Sequence, residues 1–221
     1  MSGPQDQQDG RPVIITIDGA DLAGDLAIPP GATGIVVFAH GSGSSRLSPR
    51  NRLVARELRQ APLATLLFDL LTPQEDEVDS ATREYRFDID LLARRLVGVT
   101  DWLVEQPEAQ GLKIGYFGAS TGSAAALMAA AERPTLVRAV VSRGGRPDLA
   151  ALALHKVLAP TLFIVGGDDV QVLGMNRSAM AQIRAQKELA IVAGATHLFE
   201  EPGTLEEVAR LARDWFESYL R

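Results

Sequence analysis

Ser120 sits in the string Gly118-Ala119-Ser120-Thr121-Gly122. Before it runs the apolar stretch "KIGYFG" and after it the small-residue stretch "TGSAAALMAAAE". A serine on a sharp strand-to-helix turn has a strained backbone, and glycines two residues away on each side relieve the clash that larger neighbours would cause. The same turn places the Thr121 N–H at a helix N-terminus, where a developing negative charge is favoured. A serine hydroxyl is a weak nucleophile at neutral pH, so the arrangement is chemically useful only with a base nearby.

The chain has three histidines, His40, His155 and His197. In a parallel sheet, ligands and reacting groups gather beyond the carboxyl ends of the strands. His155, in "LALHKVLAP", precedes a strand and is at the wrong end. His40 closes the strand "IVVFAH" and is near the site, but the "GSGSS" after it suggests a different job. His197, in "AGATHLFEEPG", follows the last strand and is the candidate base.

An imidazole base needs a carboxylate to fix its tautomer and stabilise the imidazolium. "IVGGDD" supplies Asp168 and Asp169 directly after a strand; the Asp-x-x-Val spacing over residues 169–172 favours Asp169, leaving Asp168 a turn or backbone role. In "FAHGSGSSR" the small residues leave backbone N–H groups free, so Ser42 and Thr121 are expected to form an oxyanion hole, each donor worth roughly 3 kcal/mol in the transition state. No Gly-Lys-Ser/Thr follows, which argues against a nucleotide phosphate loop. Arg46, Arg143 and Arg146 lie just after strands and could meet a substrate carboxylate with a guanidinium fork; the ordinary alternative is pairing with loop carboxylates.

Positioning these residues requires an α/β fold. Short β-branched or apolar runs alternate with longer stretches at helical spacing, and several runs are continuously apolar, as strands are when helices cover both sheet faces. The expected strands are 13–17 and 22–28 (an antiparallel hairpin around Asp18-Gly19), 35–39, 64–68, 114–117, 137–142, 162–165 and 189–192. The expected helices are 49–60, 85–105, 121–132, 148–155, 176–186 and 205–220. This alternation predicts a mostly parallel sheet with right-handed crossovers. The acidic segment 71–85, "LTPQEDEVDSATREY", reads as a solvated loop, with a flap over the site as the sharper alternative.

Composition narrows the class. The 221 residues are 46% hydrophobic and 23% charged, with a formal net charge of −6. That suits a soluble globular chain with no basic face for nucleic acid. The absence of cysteine excludes disulfides, thiolate metal sites and a cysteine nucleophile, and fits a cytoplasmic protein. No membrane span is expected. Residues 1–12 read as a polar tail and 13–221 as one domain; monomer and homodimer remain equally open.

Four separated elements, "HGSGSS", "GASTG", "GGDD" and "GATHLFEEPG", together resemble the α/β-hydrolase superfamily across essentially all of 13–221. The local wording looks like the dienelactone-hydrolase-like family, in a serine-bearing branch, since dienelactone hydrolases proper use a cysteine. The resemblance implies a carboxyl ester hydrolase that works through an acyl-enzyme, with no metal or cofactor and a small-molecule ester or lactone as substrate. The segment between 142 and 160 is too short for a helical cap, so an open, loop-lined site is expected. Acyl transfer to an alcohol or thiol on the same residues, and a non-catalytic binding scaffold, are the alternatives.

Overall fold

The computed structural model describes residues 10–221. The strands are β1 (Arg11–Ile17), β2 (Ala20–Ala27), β3 (Gly34–Ala39), β4 (Leu63–Phe68), β5 (Lys113–Ala119), β6 (Val137–Arg143), β7 (Thr161–Gly166) and β8 (Lys187–Val192). The helices are α1 (Pro49–Leu58), α2 (Pro73–Thr82), α3 (Ile89–Glu105), α4 (Thr121–Glu132), α5 (Val170–Met180) and α6 (Thr204–Tyr219). The strands form one sheet in the order β1-β2-β4-β3-β5-β6-β7-β8. β1 and β2 pair antiparallel, as do β2 and β4; all other pairs are parallel.

The continuous apolar strands serve two cores. Successive strand side chains point to opposite faces, so Val37 and Tyr116 join α3 and α4 on one face, while Val36, Phe38 and Phe117 join α1 and α6 on the other. Tyr116, Phe38 and Phe117 are fully buried; a side chain of this kind contributes roughly 1.5–3 kcal/mol by burial. The β1–β2 turn has Asp18 at φ 50° and Gly19 at φ 79°, the paired positive φ values that match a hairpin's twist.

Several boundaries differ from the sequence reading. β1 begins at Arg11, so Arg11 and Pro12 pair in the sheet instead of belonging to a tail; the rest of that tail, residues 1–9, lies outside the described residues. The expected helix at 148–155 is two short 3-10 turns, Pro147–Ala150 and Leu154–Lys156. The helix expected at 176–186 is α5, which begins at Val170, directly after Asp169. The helix expected from Tyr85 starts at Ile89, with the Asp88 carboxylate accepting the Leu91 N–H.

The largest difference is at 71–85, where the expected loop contains helix α2. Thr72 and Glu75 close a capping box: the Glu75 N–H donates to the Thr72 hydroxyl at 3.2 Å and the Thr72 N–H to Glu75 Oε2 at 2.8 Å. Pro73 occupies the first turn, where its missing N–H costs nothing. The helix buries one polar residue, Asp79, instead of an apolar stripe, which is why hydrophobic periodicity does not reveal it. No helix among the described residues is long and apolar enough to cross a membrane.

The cap carries a prediction. Thr72→Ala should lower unfolding stability by about 1 kcal/mol, the usual worth of an N-cap side chain. Gln74→Ala on the exposed face should stay within about 0.5 kcal/mol. Urea melts followed by circular dichroism would show the contrast.

Candidate active site

The turn at Ser120 is built by steric exclusion. Ser120 has φ 49° and ψ −120°, a region few side-chain-bearing residues enter. A Cβ at Gly122 would lie 2.2 Å from the Ala39 carbonyl oxygen and 2.4 Å from that of His40. A Cβ at Gly118 would lie 2.4 Å from Ser123 Cα. Both approaches are far inside van der Waals contact, so strand β5 and helix α4 meet beside β3 only with glycine at both places. The Ser120 N–H donates to the Arg143 carbonyl at 3.2 Å, and the Ser120 carbonyl accepts from the Arg146 N–H and the Ser123 hydroxyl at 3.1 and 2.8 Å.

That bonding ties Ser120 to the turn after β6, and His197 lies against the same turn. A Cβ built at Gly144 would be 3.5 Å from both Cε1 and Nδ1 of His197. The ring is fixed on its other side by Asp169, whose Oδ2 lies 2.7 Å from Nδ1. Asp169 is at the N-cap position of α5, yet its side chain accepts no helix N–H; it faces His197 instead. The Asp168 N–H donates to the Ala195 carbonyl at 3.0 Å, a backbone link between the two loops. With Nδ1–H donated to Asp169, Nε2 is the nitrogen left to act as base.

Ser42 and Thr121 also meet: their hydroxyl oxygens are 2.9 Å apart. Their N–H groups donate to no partner among the described residues, as an oxyanion hole requires. They border a pocket that extends past Gly43 to Leu70, Leu71, Arg86 and Leu92.

His40 has the structural task its neighbours suggested. It is buried; its Nε2 accepts the Leu70 N–H at 2.9 Å, so the proton is on Nδ1, which donates to the Gly41 carbonyl at 3.0 Å. Burial lowers its pKa, partly offset by the Gly41 bond and by Asp69 and Asp76.

The three arginines divide. Arg46 pairs with a carboxylate, the ordinary alternative to a substrate role: it holds Asp69, with NH1 to Oδ2 at 2.5 Å and its N–H to Oδ1 at 2.7 Å, and lies 3.5 Å from Asp25. Arg146 forks onto Asp148 at 2.9 and 2.8 Å. Arg143 is 6% exposed, has no carboxylate partner among the described residues, and sits over the Phe199 ring at 5.7 Å. Burial, reinforced by Arg50, lowers its pKa to about 10. The sequence reading missed two residues, Asp79 and Arg86; Asp79 lies in the segment taken for a loop, where only the acidic capping pattern at Thr72 and Glu75 marked structure, and Arg86 lies just after it, in the first turn of the helix expected over 85–105.

A mostly parallel sheet whose turns after β3, β5, β7 and β8 gather Ser42, Ser120, Asp169 and His197 defines an α/β hydrolase. The chain belongs to the dienelactone hydrolase family, whose model matches residues 22–220. The dienelactone hydrolase from Anabaena variabilis is 62% identical, with a TM-score of 0.94 over 96% of this chain and 98% of that one. Relatives from two Mycobacterium tuberculosis strains, each called a putative phosphoribosyl transferase, are 60% identical over 199 residues, 90% of this chain and 44% of theirs. The chain thus spans less than half the length of these curated relatives. Est1E from Butyrivibrio proteoclasticus, 16% identical with a TM-score of 0.79 over 94% of this chain and 98% of its own, shares the fold.

His40 gives a pH test. Its folded pKa is depressed, so the unfolded chain binds more protons, and stability should be present above pH about 6.5 and decline as pH falls below it. Denaturant unfolding at pH 7.5 and 5.5 should show the decline in wild type and a smaller slope in His40→Gln.

Proposed function

We propose that the chain hydrolyses carboxylic esters, small esters or lactones, through an acyl-enzyme on Ser120. The observation that carries this reading is the turn after β6, which bonds the Ser120 backbone on one side and packs against the Asp169-bound His197 ring on the other. In this reading His197 Nε2 removes the Ser120 proton as Oγ attacks the carbonyl. The Ser42 and Thr121 N–H groups receive the oxyanion. The C–O bond to the alcohol breaks, and His197 returns the proton to the leaving oxygen. Water, deprotonated by His197, then attacks the acyl-enzyme and releases the acid and free Ser120. Asp169 keeps the Nδ1 proton in place and stabilises the imidazolium. The family match and the Anabaena variabilis relative support hydrolysis as the reaction class. The transferase name belongs to chains more than twice the matched length and carries no residue-level expectation here.

Arg143 supports a finer reading. A nearly sealed guanidinium with no acceptor, next to the Gly144 turn, would supply the counter-charge for a carboxylate on the substrate.

Labelling, kinetics and product analysis test these readings. A fluorophosphonate probe should label wild type and not Ser120→Ala; absent or equal labelling would sink the serine-hydrolase reading. On p-nitrophenyl esters, Asp169→Asn should lower kcat by about 10²–10⁴-fold, while Asp168→Asn should stay within about threefold. Product analysis with added alcohol or thiol separates hydrolysis from acyl transfer. For Arg143→Met, kcat/KM should fall about tenfold or more for a half-ester of a dicarboxylic acid and hold for its neutral diester; equal effects on both would remove the carboxylate role.

A further inference from the structure

Asp79 is 1% exposed and takes no part in the reaction described above. Its carboxylate is nonetheless fully engaged. Oδ1 accepts the Tyr85 and Arg86 N–H groups at 2.9 and 2.8 Å, and Oδ2 accepts Arg86 Nε at 2.6 Å. Its backbone carbonyl accepts Arg86 NH2 at 3.0 Å. Arg83, at φ 62°, turns the chain back at the end of α2 and makes this possible. Main chain and side chain of Arg86 therefore hang on one residue.

Asp79 is held in turn. Helix α2 is pinned by Arg95, which forks onto Glu75 with two contacts of 2.5 Å and donates to the Leu70 carbonyl at 2.7 Å. Burial alone would raise the Asp79 pKa, but the hydrogen bonds and charge of Arg86 together with the Tyr85 N–H outweigh it and keep the carboxyl below its usual range.

Arg86 reaches the loop that carries Ser42. Its carbonyl accepts the Ser42 hydroxyl at 3.4 Å. Thr121 can then donate to Ser42 Oγ, so one chain of hydrogen bonds runs from Thr121 through Ser42 to Arg86. Arg86 NH1 lies 3.5 Å from the position a Cβ on Gly43 would take, and Gly43 is at φ 66°. The guanidinium is a wall against which the loop turns.

We propose that Asp79 and Arg86 are positioning residues: the buried carboxylate fixes Arg86, and Arg86 holds the 41–44 loop so that the Ser42 N–H faces the reacting carbonyl oxygen. This rests on the ester-hydrolase reading. Both act through the placement of a donor that matters in the transition state and little in the ground state.

The test uses Asp79→Asn and Arg86→Met with a neutral p-nitrophenyl ester, a half-ester of a dicarboxylic acid and the fluorophosphonate probe. Wild type must first turn over and label at Ser120; if it does not, the hydrolase reading fails before the positioning question is reached. With wild type active, each variant should lose about tenfold or more in kcat with KM within about twofold. Affinity for an alkyl boronic acid, a tetrahedral mimic, should fall in parallel with kcat, a shift that general loosening of the fold would not produce. If Asp79→Asn does not fold, Arg86→Lys carries the test, because it keeps a cation opposite the carboxylate but lacks the fork. Unchanged kcat and boronate affinity would overturn the proposal. So would a loss confined to carboxylate-bearing esters, which would make Arg86 a substrate-binding residue.

Discussion

The geometry of the molecule depends on how closely three backbones approach at Ser120. The β3–β5 register sets Ala39 opposite Gly118, and α4 leaves from the same point with Gly122 against the Ala39 and His40 carbonyls. No side chain fits there, so Ser120 is forced to a positive φ. Strain of this kind costs roughly 1–3 kcal/mol and persists only where the surroundings over-determine it. Here they do: hydrogen bonds to Arg143, Arg146 and Ser123 fix the Ser120 backbone, and the strands on both sides are buried in two cores. The close approach also decides where the 41–44 loop emerges, directly beside the N-terminus of α4.

The Asp169–His197 pair shows the same logic with a different local sacrifice. An aspartate at an N-cap ordinarily turns its carboxylate onto the first helical N–H groups, which is worth about 1 kcal/mol. Asp169 gives that up and faces His197. Local preferences are broken in this way at functional or strained positions. This also explains why α5 reads late in the sequence: the glycine-rich lead "VGGDD" gives no capping signal that the structure then uses.

The parallel sheet, the hairpin and the meeting of the four strand-end elements were legible because each rests on a signal local to the sequence. Apolar runs such as "IVVFA" and "TLFIV" report two-sided burial, and "GASTG" between a strand and a small-residue helix reports the tight turn. What was hidden has another origin. Helix α2 buries a carboxylate instead of an apolar stripe, so its periodicity is silent, and its anchors, Arg95 and Arg86, come from residues after it in the chain. Arg46 and Arg146 took the ordinary alternative, pairing with carboxylates; for Arg46 only the fold identifies the partners, Asp25 on β2 and Asp69 just after β4, whereas Asp148 is two residues from Arg146.

The arginines around the site therefore separate by what burial demands of them. Removing a cation from water is costly unless a carboxylate and hydrogen bonds replace the lost hydration. Arg46, Arg86, Arg95 and Arg146 each have that replacement, and the first three use it to hold loops and helices around the mouth. Arg143 has an aromatic face and no acceptor, a weaker compensation than an ion pair. Its pKa of about 10 still leaves it protonated at neutral pH, so the cost of its charge is carried by the folded state. Strand β6 and the two cores supply the stability that lets the fold carry it, and the charge lies one residue from the glycine on which His197 rests.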